Sequence, residues 1–151
     1  MKGITFGQLD GAALKVGVVV ARWNSEYTYS IRDGVIEGLT ASGVLVENIL
    51  VREVPGSYEV VYGAKRMIED DMVDAVVCVG VLIKGETMHF EYIAEAVTQG
   101  IMDLNVQSGV PVIFGILTCL TEEQVRVRSI GEHNHGVAWG KSAVEMGLFG
   151  K

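Results

Sequence analysis

The chain has 151 residues, of which 49% are hydrophobic, and its formal charge is −7. That length and apolar content suit one domain, residues 1–151, with a real core. No Lys/Arg cluster occurs, which makes nucleic acid and anionic membranes poor partners, and no stretch reaches the roughly 20 apolar residues of a membrane span. The first segment, "MKGITFGQLDG", lacks the apolar run of a signal peptide and is a candidate edge strand, for this sheet or for a neighbouring subunit's. "KVGVVVA" (Lys15–Ala21) predicts the first buried strand, and Ile31, Val35 and Leu39 give the next segment a helical period. "VENILVREV" (Val46–Val54) predicts a second strand, followed by a helix carrying Val60, Ala64 and Met67. "DAVVCVGVL" (Asp74–Leu82) is a third, and Ile93, Val97, Ile101 and Leu104 form a longer helical stripe behind it. "VPVIFGIL" (Val110–Leu117) is a fourth, then a short helix near Glu122–Arg128 and a C-terminal helix bearing Trp139, Ala143 and Met146.

Three of these runs are nearly continuous in Val, Ile and Leu, the pattern of a parallel sheet covered on both faces. Strands alternating with helices predict right-handed βαβ units in a three-layer α/β/α sandwich around a central four-stranded parallel sheet. Cys78 and Cys119 form no CxxC pair, so both are expected as buried thiols in a reducing, cytoplasmic setting.

In such a sheet ligands bind outside the carboxyl ends of the strands. Here those ends run into "RWNSEY", "PGSYE", "LIKGETMH" and "TCLTEE". The third is the most suggestive. A nucleotide-binding P-loop reads G-x-x-x-x-G-K followed by Ser or Thr. This chain has Gly80, four residues and Gly85, but then Glu86 and Thr87, with Lys84 on the wrong side of the second glycine. The loop still opens a helix, whose free N–H groups and positive dipole end can hold a phosphate. An ordinary capped strand-to-helix turn fits the same residues. His89 falls in the first turn of that helix, where an imidazole can both take and give a proton. His133 and His135 stand at i, i+2 without a carboxylate cluster, a weak metal signal, and no metal site is expected.

Several segments in order resemble the lumazine synthase family. They are "ARWN" at 21–24, "VPGSYE" at 54–59, "GVLIKGETMHFEYIAEAV" at 80–97, "PVIFGILTCLTEEQ" at 111–124 and "NHG…AVEMG" at 134–147. The resemblance implies a flavodoxin-like fold and the condensation of 5-amino-6-(D-ribitylamino)uracil with 3,4-dihydroxy-2-butanone 4-phosphate. Phosphate and water are released, and neither a metal nor a redox cofactor takes part. It also implies a homo-pentamer with each active site shared between two subunits, in some members a 60-subunit shell, and riboflavin synthase as a partner.

By the same resemblance Trp23 would stack on the pyrimidine, and Asn24 would bond the uracil edge or shape the turn. Gly56, Ser57, Tyr58 and Glu59 would grip the ribityl chain, while Val81, Leu82 and Ile83 would offer backbone groups to the ring. Gly85, Glu86 and Thr87 would hold the phosphate, and His89 would move protons. Phe114, Arg128 and His135 complete the implied site, the first two from the neighbouring subunit. Arg126 competes with Arg128 for the phosphate, but residues two apart on a helix diverge by about 200°, so only one can face it. A phosphate- or flavin-binding module without turnover, and a purely structural shell protein, are the competing classes.

Overall fold

The computed structural model describes residues 3–151. Four parallel strands, β1 (Val16–Ala21), β2 (Ile49–Val54), β3 (Ala75–Ile83) and β4 (Val112–Cys119), lie in the order β2-β1-β3-β4. Five helices connect and follow them: α1 (Ser25–Ala41), α2 (Val60–Asp70), α3 (His89–Ser108), α4 (Glu122–Ser129) and α5 (Gly136–Leu148). Alternate strand residues feed two cores. Val16, Val18, Val20, Val77 and Val79 pack with α1 and α5 through Ile31, Val35, Leu39, Ala143 and Val144. Val19, Ala21, Val76 and Cys78 pack with α2 and α3 through Val60, Ala64, Met67, Val97 and Ile101. Burial on both faces is what the unbroken valine runs require, and the result is a three-layer α/β/α sandwich of flavodoxin-like type.

The connection from β1 to β2 runs one way along the sheet, and those from β2 to β3 and β3 to β4 run the other. The covering helix changes face at that reversal, as a constant crossover hand demands. β1 and β3 are therefore neighbours whose outgoing chains part in opposite directions. Their carboxyl ends open the crevice in which such sheets bind ligands.

Several strand ends differ from the sequence reading by one to three residues, most at the start of β2 and at the ends of β4. Residues 46–48 form a short 3-10 turn and the strand begins at Ile49, because Val46 is 71% exposed and meets no core. The fourth strand starts at Val112, where the Asn105 side chain bonds both backbone groups of that residue, at 2.7 and 2.8 Å. Residues 3–11 form neither helix nor strand, so the described part of the N-terminal segment adds no edge to this sheet, and Met1 and Lys2 lie outside the described residues.

The face of α5 differs too. It buries Gly136, Gly140, Ala143, Val144 and Gly147, whereas Met146 is 40% exposed. A Cβ on Gly140 would fall 2.3 Å from the Val35 carbonyl oxygen, and one on Gly38 would fall 2.1 Å from that of Val137. The α1 and α5 backbones thus touch directly, and hydropathy does not register a seam made of glycine.

Candidate active site

The crevice between the ends of β1 and β3 widens into a cleft of about 550 Å³. Val81, Leu82 and Ile83 end the β3 side and Trp23 and Asn24 the β1 side. Gly56, Ser57, Tyr58 and Glu59 enter from the turn after β2, and His89 and Ile93 from the first two turns of α3.

The turn after β1 is built for exposure. Arg22 and Trp23 donate backbone bonds to the Pro55 carbonyl at 3.1 and 3.0 Å, tying the turn to the end of β2. Asn24 then takes the left-handed conformation, φ 61°, which an asparagine tolerates better than most residues. Its carbonyl accepts from Tyr27 and Thr28, and its side-chain amide donates to the Val81 carbonyl at 3.1 Å. Asn24 therefore shapes the turn. The reversal throws the Trp23 side chain outward, 72% exposed, which excludes a packed core tryptophan. A Cβ on Gly56 would come within 2.9 Å of the indole, so glycine is needed for that close approach. Below, Ser57 is 4% exposed and fills the hollow over Gly80, while Tyr58 is 62% exposed.

The loop from Lys84 to Met88 leads into α3, a 20-residue helix whose first residue is His89. The Lys84 amide donates to the Cys119 carbonyl at 2.9 Å and extends the β3–β4 ladder by one rung. The His89 amide donates to the Thr87 hydroxyl at 3.3 Å, and the first regular helical bond is that of the Tyr92 amide to the Met88 carbonyl at 3.2 Å. Residues 84–89 are all exposed, so the helix N-terminus and its dipole face solvent beside the cleft. Gly85 has no positive φ, and a Cβ there would meet nothing within 4 Å.

Of the expected site residues, Gly85, Glu86 and Thr87 precede His89 in the loop without lining the cleft, and Phe114, Arg128 and His135 do not line it either. Phe114 sits on β4, paired with Cys78, and is 37% exposed. Arg126 and Arg128 point to different surroundings. Arg126 bonds the Tyr27 hydroxyl at 3.1 Å and lies 3.6–3.9 Å from the carboxylates of Glu26, Glu122 and Glu123. That tyrosine donates to Glu122, and the bond, with burial behind it, pushes the phenol up to about 12. Arg128 makes one bond, to the Gln124 carbonyl at 2.8 Å, and among the described residues no carboxylate lies within 4.0 Å of it. The His135 amide donates to the Arg128 carbonyl at 2.9 Å, and its ring stands edge-on to Trp139 at 5.8 Å. Burial, then the charges of Arg128 and His133, hold its imidazole below the ordinary histidine value. Among the described residues no three His, Cys, Asp or Glu side chains are grouped as a metal would need.

Ile93, one turn beyond His89, also lines the cleft and was legible only as a core position. Its spacing of four from His89 puts both on one side of the helix.

The switch-point cleft with its exposed ring is the ligand-binding crevice of a flavodoxin-like α/β protein. Comparison with known proteins makes the class specific. The family model described as 6,7-dimethyl-8-ribityllumazine synthase matches residues 13–150, and the chain belongs to that family. A 6,7-dimethyl-8-ribityllumazine synthase of Schizosaccharomyces pombe is 47% identical over 98% of this chain and 95% of its own. One from Flavobacterium psychrophilum is 50% identical over 87% of this chain and 70% of its own. One from Pyricularia oryzae is 39% identical over 97% and 93%.

Proposed function

We propose that the chain catalyses its family's reaction, joining 5-amino-6-(D-ribitylamino)uracil to 3,4-dihydroxy-2-butanone 4-phosphate in riboflavin biosynthesis. The observation that carries this reading is His89, which lines the Trp23 cleft from the first position of a 20-residue helix. An anion held on that N-terminus and a ring stacked on the indole would flank one imidazole.

The pyrimidine stacks on Trp23, whose exposed face suits a flat heterocycle. Backbone groups of Val81, Leu82 and Ile83 meet its edge. Gly56, Ser57 and Tyr58 border the ribityl chain, and the Glu59 carboxylate accepts from its hydroxyls. The amides of Gly85, Glu86 and Thr87 bind the phosphate, with the Thr87 hydroxyl beside them. Gly85 supports this assignment, since neither crowding nor backbone conformation within the chain asks for glycine there.

His89 carries protons as the amine attacks the ketone and the imine forms with loss of water. It then serves as phosphate leaves and as the ring closes with loss of a second water. General acid–base help of this kind is worth about 10²–10⁴-fold, and holding the two reactants together supplies much of the rest. No residue of the chain needs to form a covalent bond to substrate.

Phe114, Arg128 and His135 lie outside the cleft of their own chain, so we assign them to the cleft of an adjoining copy. Arg128, with no carboxylate partner among the described residues, is the better phosphate ligand, whereas Arg126 is held among three glutamates. A guanidinium binds phosphate in bidentate fashion and stabilises it as it departs. This sharing implies the homo-pentamer of the family, working in the cytoplasm as one 1–151 unit. Closure into a 60-subunit shell and association with riboflavin synthase belong to the same reading. Among the described residues no helix is long and apolar enough to cross a membrane.

Incubation with both substrates tests the proposal. Formation of a fluorescent lumazine with one phosphate released per turnover is expected. Binding of either substrate without product would leave a binding module and remove the enzyme.

A further inference from the structure

Lys84 and Glu91 bracket the loop that leads into α3, and the proposed mechanism uses neither. Their side chains form an ion pair across that loop. The ammonium also lies 5.7 Å from the centre of the Phe90 ring. The second oxygen of Glu91 is buried and has no hydrogen-bond partner among the described residues. The Lys84 amide is fixed to the Cys119 carbonyl at 2.9 Å, and Glu91 stands in the first turn of α3. The pair thus joins a point anchored on the sheet to a point anchored on the helix, and residues 85–88 span the gap.

Glu91 is itself an anion in the positive field of the helix N-terminus, the field a phosphate would use. Unneutralised, it would compete with that phosphate and repel it. An ammonium satisfied by this carboxylate is a weaker ligand for a second anion. We propose that Lys84 is a positioning residue that acts through Glu91: its charge is committed to that carboxylate and cancels the anion that would otherwise oppose the phosphate. The proposal rests on the assigned reaction and concerns only the affinity of the phosphate-bearing substrate.

The experiment measures kcat and both KM values, together with thermal melting, for the wild type, Lys84→Ala, Lys84→Arg, Glu91→Gln and the Lys84→Ala/Glu91→Gln double variant. In Lys84→Ala the KM for the butanone phosphate should rise about tenfold, the scale of a full charge acting within one helical turn, with the KM for the uracil unchanged. Lys84→Arg should match the wild type. The double variant should recover most of the lost affinity, because the opposing carboxylate is gone. A double variant as weak as Lys84→Ala would mean that Lys84 touches the phosphate directly, and would overturn the proposal. A parallel rise of both KM values with a lowered melting point would reduce the pair to a structural role, and would overturn it too. Failure of the reaction assignment is separate, since the wild type would then make no lumazine.

Discussion

The side-chain amide of Asn24 reaches 3.1 Å to the carbonyl of Val81, and so pins the end of β1 to the end of β3 where the sheet reverses direction. One residue thereby fixes both walls of the cleft. It also holds the left-handed turn that presents Trp23 to solvent.

Asn24→Ala should lose both contributions, the side-chain bond and the tolerance of φ 61°. A cost of about 2 kcal/mol is expected, from one hydrogen bond plus the left-handed penalty. Asn24→Gly keeps the conformation and should lose less. Urea denaturation of the two variants separates the terms, and equal losses would show that the backbone angle contributes nothing.

The strands were legible because a valine run buried on both faces is hard to read as anything else. Val16–Val20 and Ala75–Val79 show 0% exposure at every position except the glycine, where no value bears on the core. The α5 face was not legible. Period counting weights Trp139 and Met146, but contact with α1 is made by Gly136 and Gly140, whose worth lies in the side chain they lack. The cleft residues were legible as loops at strand ends. The choice between Arg126 and Arg128 was not, because it depends on Tyr27, 99 residues away in sequence from Arg126. The Lys84–Glu91 pair was hidden for a similar reason: the spacing of seven says nothing of a loop that folds the two together.

Trp23 is 72% exposed, so its removal should leave folding untouched and weaken only the ring it stacks on. In Trp23→Ala the KM for the uracil substrate should rise about tenfold, the upper range of an aromatic pair, and Trp23→Phe should recover most of it. Titration by tryptophan fluorescence checks the same point. Trp139 remains in the variant, and quenching by the uracil should vanish although that signal persists. Undiminished quenching would move the ring elsewhere.

His89 is exposed, and among the described residues its side chain makes no hydrogen bond, so His89→Ala should melt as the wild type does. Its kcat should fall about 10²–10³-fold, within the range of general acid–base help, with measurable turnover left from positioning alone. Steady-state rates with both substrates give the answer. Unchanged turnover would take His89 out of the chemistry.

Arg52 on β2 clamps Asp71, just past α2, with two bonds of 2.7 and 2.8 Å. The Arg52 bond, foremost, holds the Asp71 carboxyl below its ordinary value of 3.8. Protonation is therefore harder in the folded chain than in the unfolded one. The stabilisation is fully present above that ordinary value and is lost as the pH falls through the lower folded value. Asp71→Asn should lower stability at neutral pH and flatten the acid limb of a plot of melting temperature against pH. An acid limb as steep as the wild type's would assign the loss to other carboxylates.

Gly85 separates the needs of the fold from those of the ligand. An alanine there would meet no atom within 4 Å and would need no positive φ. Gly85→Ala should therefore fold as well as the wild type, or better by about 0.5 kcal/mol, since it removes freedom from the unfolded chain. The added methyl would stand on the loop where phosphate oxygens must approach the amides, and the KM for the butanone phosphate should rise by about an order of magnitude, the scale of a single well-placed hydrogen bond to a charged group. Isothermal titration with inorganic phosphate reads that loss apart from the chemistry, and denaturation in the same buffer reads stability. A variant that keeps its phosphate affinity would leave the glycine without a role in either, and the anion would have to be sought away from the head of α3.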